Sequence, residues 1–420
     1  MKRVMVKLQR GPEDLLTVGT LAEQNNRVYF EYDAAFLNTG INLSPFKLAA
    51  GPGLIEHTDL GFGPLPGLFD DSLPDGWGLL LMDRHFRQQS VDPRVVSPLD
   101  RLAYLGARTM GALTYHPPMD EGKEKKGETL DLFKLGCHAE KVLDGDAAEV
   151  LPVLMRAGGS PGGARPKVLV GIQGDRVISG DEDLSRDFLA NGGEHWMVKF
   201  ASKTEACDAG PVEYAYSLAA QEAGIEMPAT RLFEVRQGRG VRRYFAVKRF
   251  DRFGGCDGGN RRRHVHTFAN LVHVNFRIPS ADYADLFKVT RALTRNHGDV
   301  LRLFKVMVFN VAMHNRDDHA KNFAFVLDDE TGEWSLSPAY DLTFSTGPSG
   351  EHATTVMGEG KQPDREHCLK LAAQVGVGRS EAQRVFDKVN AAAALWPRFA
   401  QEAGCRAKVA GVIDKAIRRL

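Results

Sequence analysis

Asn315-Arg316-Asp317-Asp318-His319-Ala320-Lys321-Asn322 sets an aspartate five positions before an asparagine. The run Val300 to Met313 before it is apolar almost all round, which predicts a buried helix. A strand-like run begins at Asn322, and a second aspartate, Asp341, follows nineteen residues later in Ala339-Tyr340-Asp341-Leu342. Between them Asn322 to Leu327 and Trp334 to Leu336 predict a hairpin. This order suits phosphoryl transfer to a hydroxyl: one aspartate accepts the hydroxyl proton, while an asparagine and a second aspartate hold the Mg²⁺ that bridges nucleotide phosphates. Asp317 is therefore the candidate base, and Asn322 and Asp341 are the candidate metal ligands. An aspartate at a helix end is ordinarily a cap or a solvated residue, so the functional reading rests on the set. His319 and Lys321 are read either as contacts to the γ-phosphate or as structural hydrogen-bond donors.

The spacing D-x₄-N equals that of the protein-kinase catalytic loop, with Asn315 where that loop carries a histidine. A kinase also needs a lysine for the α- and β-phosphates. Lys199 in Trp196-Met197-Val198-Lys199-Phe200 is the candidate, although a strand lysine is ordinarily an edge or surface residue. Its acidic partner is expected from the following helix, where Glu213 and Glu222 are the options. The glycine-dense Gly158-Gly159-Ser160-Pro161-Gly162-Gly163 matches neither G-x-G-x-x-G nor the Walker A spacing, and alone it reads as a turn. Upstream of Lys199, before the strand Val168–Ile172, it is placed to cover phosphates with backbone N–H groups.

Composition bounds the alternatives. The chain has 420 residues, 43% apolar and 26% charged, so two or more packed lobes are expected. Lys+Arg and Asp+Glu are both 54, which signals neither naked nucleic acid nor a membrane surface as partner. Five scattered cysteines (137, 207, 256, 368, 405) form no C-x-x-C pair, against a disulfide framework or zinc site. No apolar run approaches the roughly 18 residues of a membrane helix, and the alternating Met1–Leu8 is no signal peptide. A cytoplasmic protein is expected. The arginines at 236, 239, 242, 243, 249, 252 and 261–263 read as a solvated hairpin and loop rather than a nucleic-acid face; His264, His266 and His273 read as structural.

Along the chain, residues 1–116 predict a small α/β subdomain. Val4, Val6 and Leu8 alternate, as do Val28, Phe30 and Tyr32; helices are expected at about 78–89 and 98–106, the second with Ser97 as N-cap and Pro98 at its first position. Residues 117–128 lack apolar periodicity and form a linker. A sheet-rich lobe with one helix is expected over 129–252, and a helical lobe over 264–420, with Ser380 capping one of its helices. The fold class is α+β: the small subdomain followed by a bilobal protein-kinase-like fold.

The motifs resemble those of the HipA-like serine/threonine kinases, toxins of bacterial toxin–antitoxin pairs. Asp317-Asp318-His319-Ala320-Lys321-Asn322-Phe323 matches D-G-H-A-K-N-F at all but one position, and Ser337-Pro338-Ala339-Tyr340-Asp341 resembles T-P-x-Y-D. Ser160 to Lys167 resembles S-x-x-G-A-x-x-K, Val247 to Arg252 resembles E-R-F-D-R, and Gly67 to Gly76 resembles a segment with F-x-N-L-L-P. The resemblance implies ATP and Mg²⁺, with Lys199, Gly162, Gly163, Ser160, Lys167, His319 and Lys321 around the nucleotide. It implies autophosphorylation at Ser160, which switches the enzyme off by placing nearly two negative charges in the nucleotide pocket. It implies a protein substrate of the aminoacyl-tRNA synthetase class and a small helix-turn-helix antitoxin (HipB-like), through which alone DNA is reached. Two departures stand out: Asp318 replaces a glycine, expected to add charge beside the metal, and Lys248 replaces an acidic residue near the lobe junction. A small-molecule kinase and a pseudokinase corepressor are the competing readings.

Overall fold

The structure, a computed structural model, describes all residues except 120–128, 146–151, 153, 156–161, 180–185, 202–207, 239, 256–258, 279 and 329. Ser160 and most of the 117–128 linker therefore lie outside the described residues. The chain forms two compact units. One comprises Met1–Ala206, Phe233–His266 and Leu327–Gly332; the other comprises Cys207–Leu232, Thr267–Val326 and Glu333–Leu420.

The first unit holds two five-stranded sheets. In the first, β1 (Lys2–Gln9), β2 (Leu15–Gln24), β3 (Arg27–Tyr32), β4 (Leu54–Glu56) and β5 (Leu113–His116) lie in the order β4-β3-β2-β1-β5. The alternation read from the sequence is the pleat: Val4, Val6 and Leu8 are buried, as are Val28, Phe30 and Tyr32. Asn25 and Asn26 join β2 to β3 with φ of 52° and 59°, the two positive angles that a hairpin turn matched to strand twist requires. Gly19 in β2 has no substitute, since a Cβ there would sit 2.2 Å from the Glu31 carbonyl oxygen. The predicted helices appear as Gly76–Gln88 and Pro98–Leu105, the latter with Ser97 and Asp100 in a reciprocal capping box.

The second sheet contains β6 (Lys167–Gln173), β7 (Arg176–Ile178), β8 (Glu194–Lys199), β9 (Thr230–Gln237) and β10 (Gly240–Lys248), ordered β7-β6-β8-β10-β9. Val168, Val170, Trp196, Val198 and Tyr244 pack with Leu132 and Leu135 of the helix Leu132–Leu143. Trp77 and Leu81, from the helix Gly76–Gln88, enter this same core. Burying an aromatic of that size removes about 150–250 Å² from water, roughly 4–6 kcal/mol before entropy is counted. The N-terminal segment is thus built into the second sheet's core.

The expected solvated arginine loop is not what forms at Arg249, Arg252 and Arg262, all of which are buried. Arg249 and Arg252 donate to the Asp251 carboxylate at 2.7–2.9 Å, and Gly111 N–H donates to it at 2.8 Å. Arg252 also donates to the carbonyls of Gly111 and Thr109, and Arg262 to that of Ala107. Burial alone would raise the Asp251 pKa; the two guanidiniums hold it far below the ordinary range. These arginines staple the chain before β5 instead of meeting solvent. His264 and His266 are structural as expected: His264 Nε2 donates to the Leu43 carbonyl, while His266 contacts Ser44 and Asp71.

The second unit is mainly helical: Ala209–Glu222, Tyr283–Thr294, His297–Ala312, Arg365–Val375, Arg379–Ala394, Trp396–Glu402 and Ala407–Ala416. The expected cap at Ser380 is displaced. Gly378 holds the N-cap position, its N–H donating to Glu381 Oε2 at 2.8 Å, and Ser380 lies inside the first turn. Strands Ala324–Leu327 and Trp334–Leu336 form where the hairpin was predicted. Among the described residues no helix is long and apolar enough to cross a membrane.

Candidate active site

The helix His297–Ala312 positions the second unit's candidate residues. Asn296 caps it through Gly298 N–H, and Val300, Leu303, Phe304, Met307, Val308 and Phe309 are buried around it. It ends at Met313, whose carbonyl accepts from the Tyr216 hydroxyl at 2.5 Å; His314 then turns left-handed with φ 57°. Buried Asp299 accepts from Leu336 N–H at 3.2 Å and from Arg302 at 2.8 Å, and Arg302 donates to the carbonyls of Leu336 and Ser337. One helix therefore delivers Asp317 at its end and grips the strand that leads to Asp341.

Asp317 is exposed, and its backbone carbonyl accepts from Asn322 Nδ2 at 2.7 Å. That bond closes the Asp317–Asn322 loop and leaves Asn322 Oδ1 as the atom its amide can offer a cation. Asn322 and Asp341 line one cleft, together with Asn310, Asn315, Asp318 and Tyr340; Asp317 is not among the lining residues. Asp341 has φ 56°, a left-handed conformation that aspartate tolerates better than most and that recurs at functional sites. The Tyr340 hydroxyl donates to the Lys321 carbonyl at 2.7 Å, tying the two loops together.

Lys321 Nζ lies 4.6 Å from the centre of the Phe276 ring, and the His319 ring packs on the same phenylalanine at 5.4 Å. His319 Nδ1 is buried without a hydrogen bond, as is Asn315 Oδ1 in the cleft wall. The orphaned Asn315 amide oxygen shares one cleft with the Asn322 amide and the Asp341 carboxylate, an oxygen donor set that suits a hard cation, so the residues fit Mg²⁺.

Asp318, the first departure, lines the cleft that holds Asn322 and Asp341. Its carboxylate is wholly buried and is held by hydrogen bonds from the Tyr283 hydroxyl (2.9 Å), His352 Nδ1 (2.9 Å) and the Ala353 and Thr354 N–H groups (3.0 and 3.3 Å). Its φ is not positive, so the backbone has no need of glycine. Asn310 Nδ2 donates to Tyr283 at 3.0 Å, and Asn315 Nδ2 donates to Asn310 at 2.9 Å. The added carboxylate is an anchor for the Asp317–Asn322 loop. Sequence reasoning passed over His352, Tyr283 and Asn310, for which no motif or spacing gave a signal.

The first unit carries the other candidates. Register places Lys167 directly opposite Lys199 on neighbouring strands, and Lys199 also faces Phe245, its Nζ 5.8 Å from that ring. Both lysines are buried. Lys167 Nζ donates to the Gly162 carbonyl at 2.5 Å, and Gly163 takes φ 94°. Lys248, the second departure, pairs with Glu194 at 2.5 Å, so its charge is met within the sheet. In the second unit Glu213 is buried, whereas Glu222 is exposed at the end of its helix.

Comparison with known proteins places this geometry. The family model for the HipA-like C-terminal domain matches residues 159–396, and that for the HipA N-terminal domain matches residues 14–116. A protein of Sinorhizobium fredii provisionally designated a kinase, Y4mE, is 26% identical over 368 residues, covering 77% of this chain and 82% of its own. HipA of Shewanella oneidensis, solved with HipB and operator DNA, superposes with a TM-score of 0.68 at 16% identity, covering 98% of this chain and 94% of that one. At that identity the likeness speaks for the fold alone. On the family models, this chain belongs to the HipA family.

Proposed function

We propose that this chain is an ATP- and Mg²⁺-dependent serine/threonine-protein kinase, the toxin of a toxin–antitoxin module. The observation that carries the reading is the catalytic loop itself: Asn322 and Asp341 share one cleft, and the hydrogen bond from Asn322 to the Asp317 carbonyl closes the loop that presents Asp317. In this reading the Asp317 carboxylate orients the substrate hydroxyl and takes its proton as the oxygen attacks the γ-phosphorus, while the bond from that phosphorus to the β,γ-bridging oxygen breaks and ADP leaves. Asn322 and Asp341 hold the metal, which when bound neutralises charge on the phosphates. Lys199 and Lys167 bind phosphate oxygens, the Gly162–Gly163 backbone covers them, and His319 and Lys321 serve the γ-phosphate. The domain assignment proposed is a subdomain over 1–116, an N-lobe over 129–252 and a C-lobe over 264–420. A cytoplasmic location, a HipB-like helix-turn-helix antitoxin and an aminoacyl-tRNA synthetase as substrate belong to the same proposal.

The reading is tested by phosphate mapping after incubation with Mg²⁺-ATP. Phosphate at Ser160 in the wild type, absent from Asn322→Ala and Asp341→Asn variants, is the expected result. No phosphate on the protein and no binding of nucleotide would overturn it.

A further inference from the structure

Asp75-Gly76-Trp77 meets the end of the glycine-rich loop within the first unit. The Asp75 carboxylate accepts from Gly163 N–H, and Trp77 N–H donates to the Gly163 carbonyl at 3.0 Å. The Trp77 indole N–H donates to the Lys167 carbonyl at 3.1 Å. Gly76 lies between them with φ 44°, and a Cβ there would stand 2.6 Å from the Gly163 oxygen. Asp75 occupies the N-cap position of Gly76–Gln88, yet its side chain makes no capping bond to that helix. An aspartate so placed ordinarily caps its own helix, worth about 1 kcal/mol. Here the carboxylate, nine-tenths buried, is directed to the loop.

The clasp is rigid on its own side. Trp77 is 1% exposed and sits among Val168, Val198 and Trp196 in the core of the second sheet. On the loop side it fixes Gly163, next to the carbonyl that Lys167 Nζ reaches. Both faces of the Gly163 peptide, donor and acceptor, are therefore taken by a segment some ninety residues earlier.

We propose that Asp75 and Trp77 are positioning residues for nucleotide binding: they hold Gly162–Gly163 in the phosphate-covering conformation. The role rests on the kinase reading for its consequence, although the clasp itself does not. Neither residue touches the reacting atoms. Asp75→Ala removes the charge-assisted acceptor, whereas Asp75→Asn keeps a neutral oxygen that restores part of it.

The test pairs hydrogen exchange on the full-length protein with ATP kinetics. In nucleotide-free Asp75→Ala, amide exchange at Gly163 and its neighbours accelerates about 10–100-fold, while β1–β5 keeps its protection. KM for ATP rises about tenfold or more with a smaller change in kcat, and Asp75→Asn falls between. Unchanged exchange at Gly163 in Asp75→Ala overturns the clasp. So does acceleration spread evenly over the unit, which marks Asp75 as merely structural. Local acceleration in Asp75→Ala, together with a wild type that binds no nucleotide, would retain the clasp and refute the kinase reading instead.

Discussion

Asp318 shows how far a single residue can depart from its motif without emptying it. Four hydrogen-bond donors converge on its buried carboxylate. Replacing it with the glycine of the family pattern leaves Tyr283, His352 and two backbone N–H groups without their acceptor. Asp318→Gly is accordingly expected to destabilise the protein by about 2–4 kcal/mol, read as a lower denaturation midpoint. An unchanged midpoint would show that water serves those donors equally well. The sequence singles out Asp317, Asn322 and Asp341 as candidates because the proposed chemistry imposes a spacing. It could not identify His352 as Asp318's partner, since their contact is made by the fold, thirty-four residues apart. The side-chain direction of Asp318 was unreadable for the same reason.

At the scale of elements, the helix His297–Ala312 was legible because Val300 to Ala312 is apolar except for Arg302, Lys305 and Asn310, a pattern that suits a mostly buried helix. Phe309 is fully buried in it, its ring 6.3 Å from that of Tyr216. Phe309→Ala is expected to cost about 3–5 kcal/mol in chemical denaturation; a loss under 1 kcal/mol would mean the site collapses around the gap. Strand β2 was not legible. Its buried positions do not alternate cleanly, because Gly19 leaves a gap in the pattern and the pairing with β1 shifts register between Val6 and Lys7. Ser380 failed as a cap for a local reason: Gly378 and Glu381 satisfy the helix start two residues earlier. The arginines around Asp251 misled because composition cannot distinguish a solvated guanidinium from one enclosed by carbonyls.

For the whole molecule, pH dependence offers a global readout. His264 is fully enclosed, and burial, with His266 nearby, lowers its pKa to about 3. A histidine depressed in the folded state contributes stability that is complete above the unfolded value of about 6.5 and is lost as pH falls from there toward 3. The wild type is expected to lose stability over that window, and His264→Gln to flatten the slope. An equal slope in both proteins would remove His264 from the account. Composition set the expectation of more than one packed body, and the two compact units agree with it. What composition could not give is that Trp77, in the segment matched by the HipA N-terminal domain, is part of the second sheet's core.

The central claim is that Asp317 acts as the base of a kinase site. It is tested most directly by measuring γ-phosphate transfer and ATP binding on the same preparations of wild type and Asp317→Asn. The account predicts transfer by the wild type, a fall of at least about 10²–10⁴-fold in the variant, and ATP affinity little changed. Equal transfer by both proteins would contradict it.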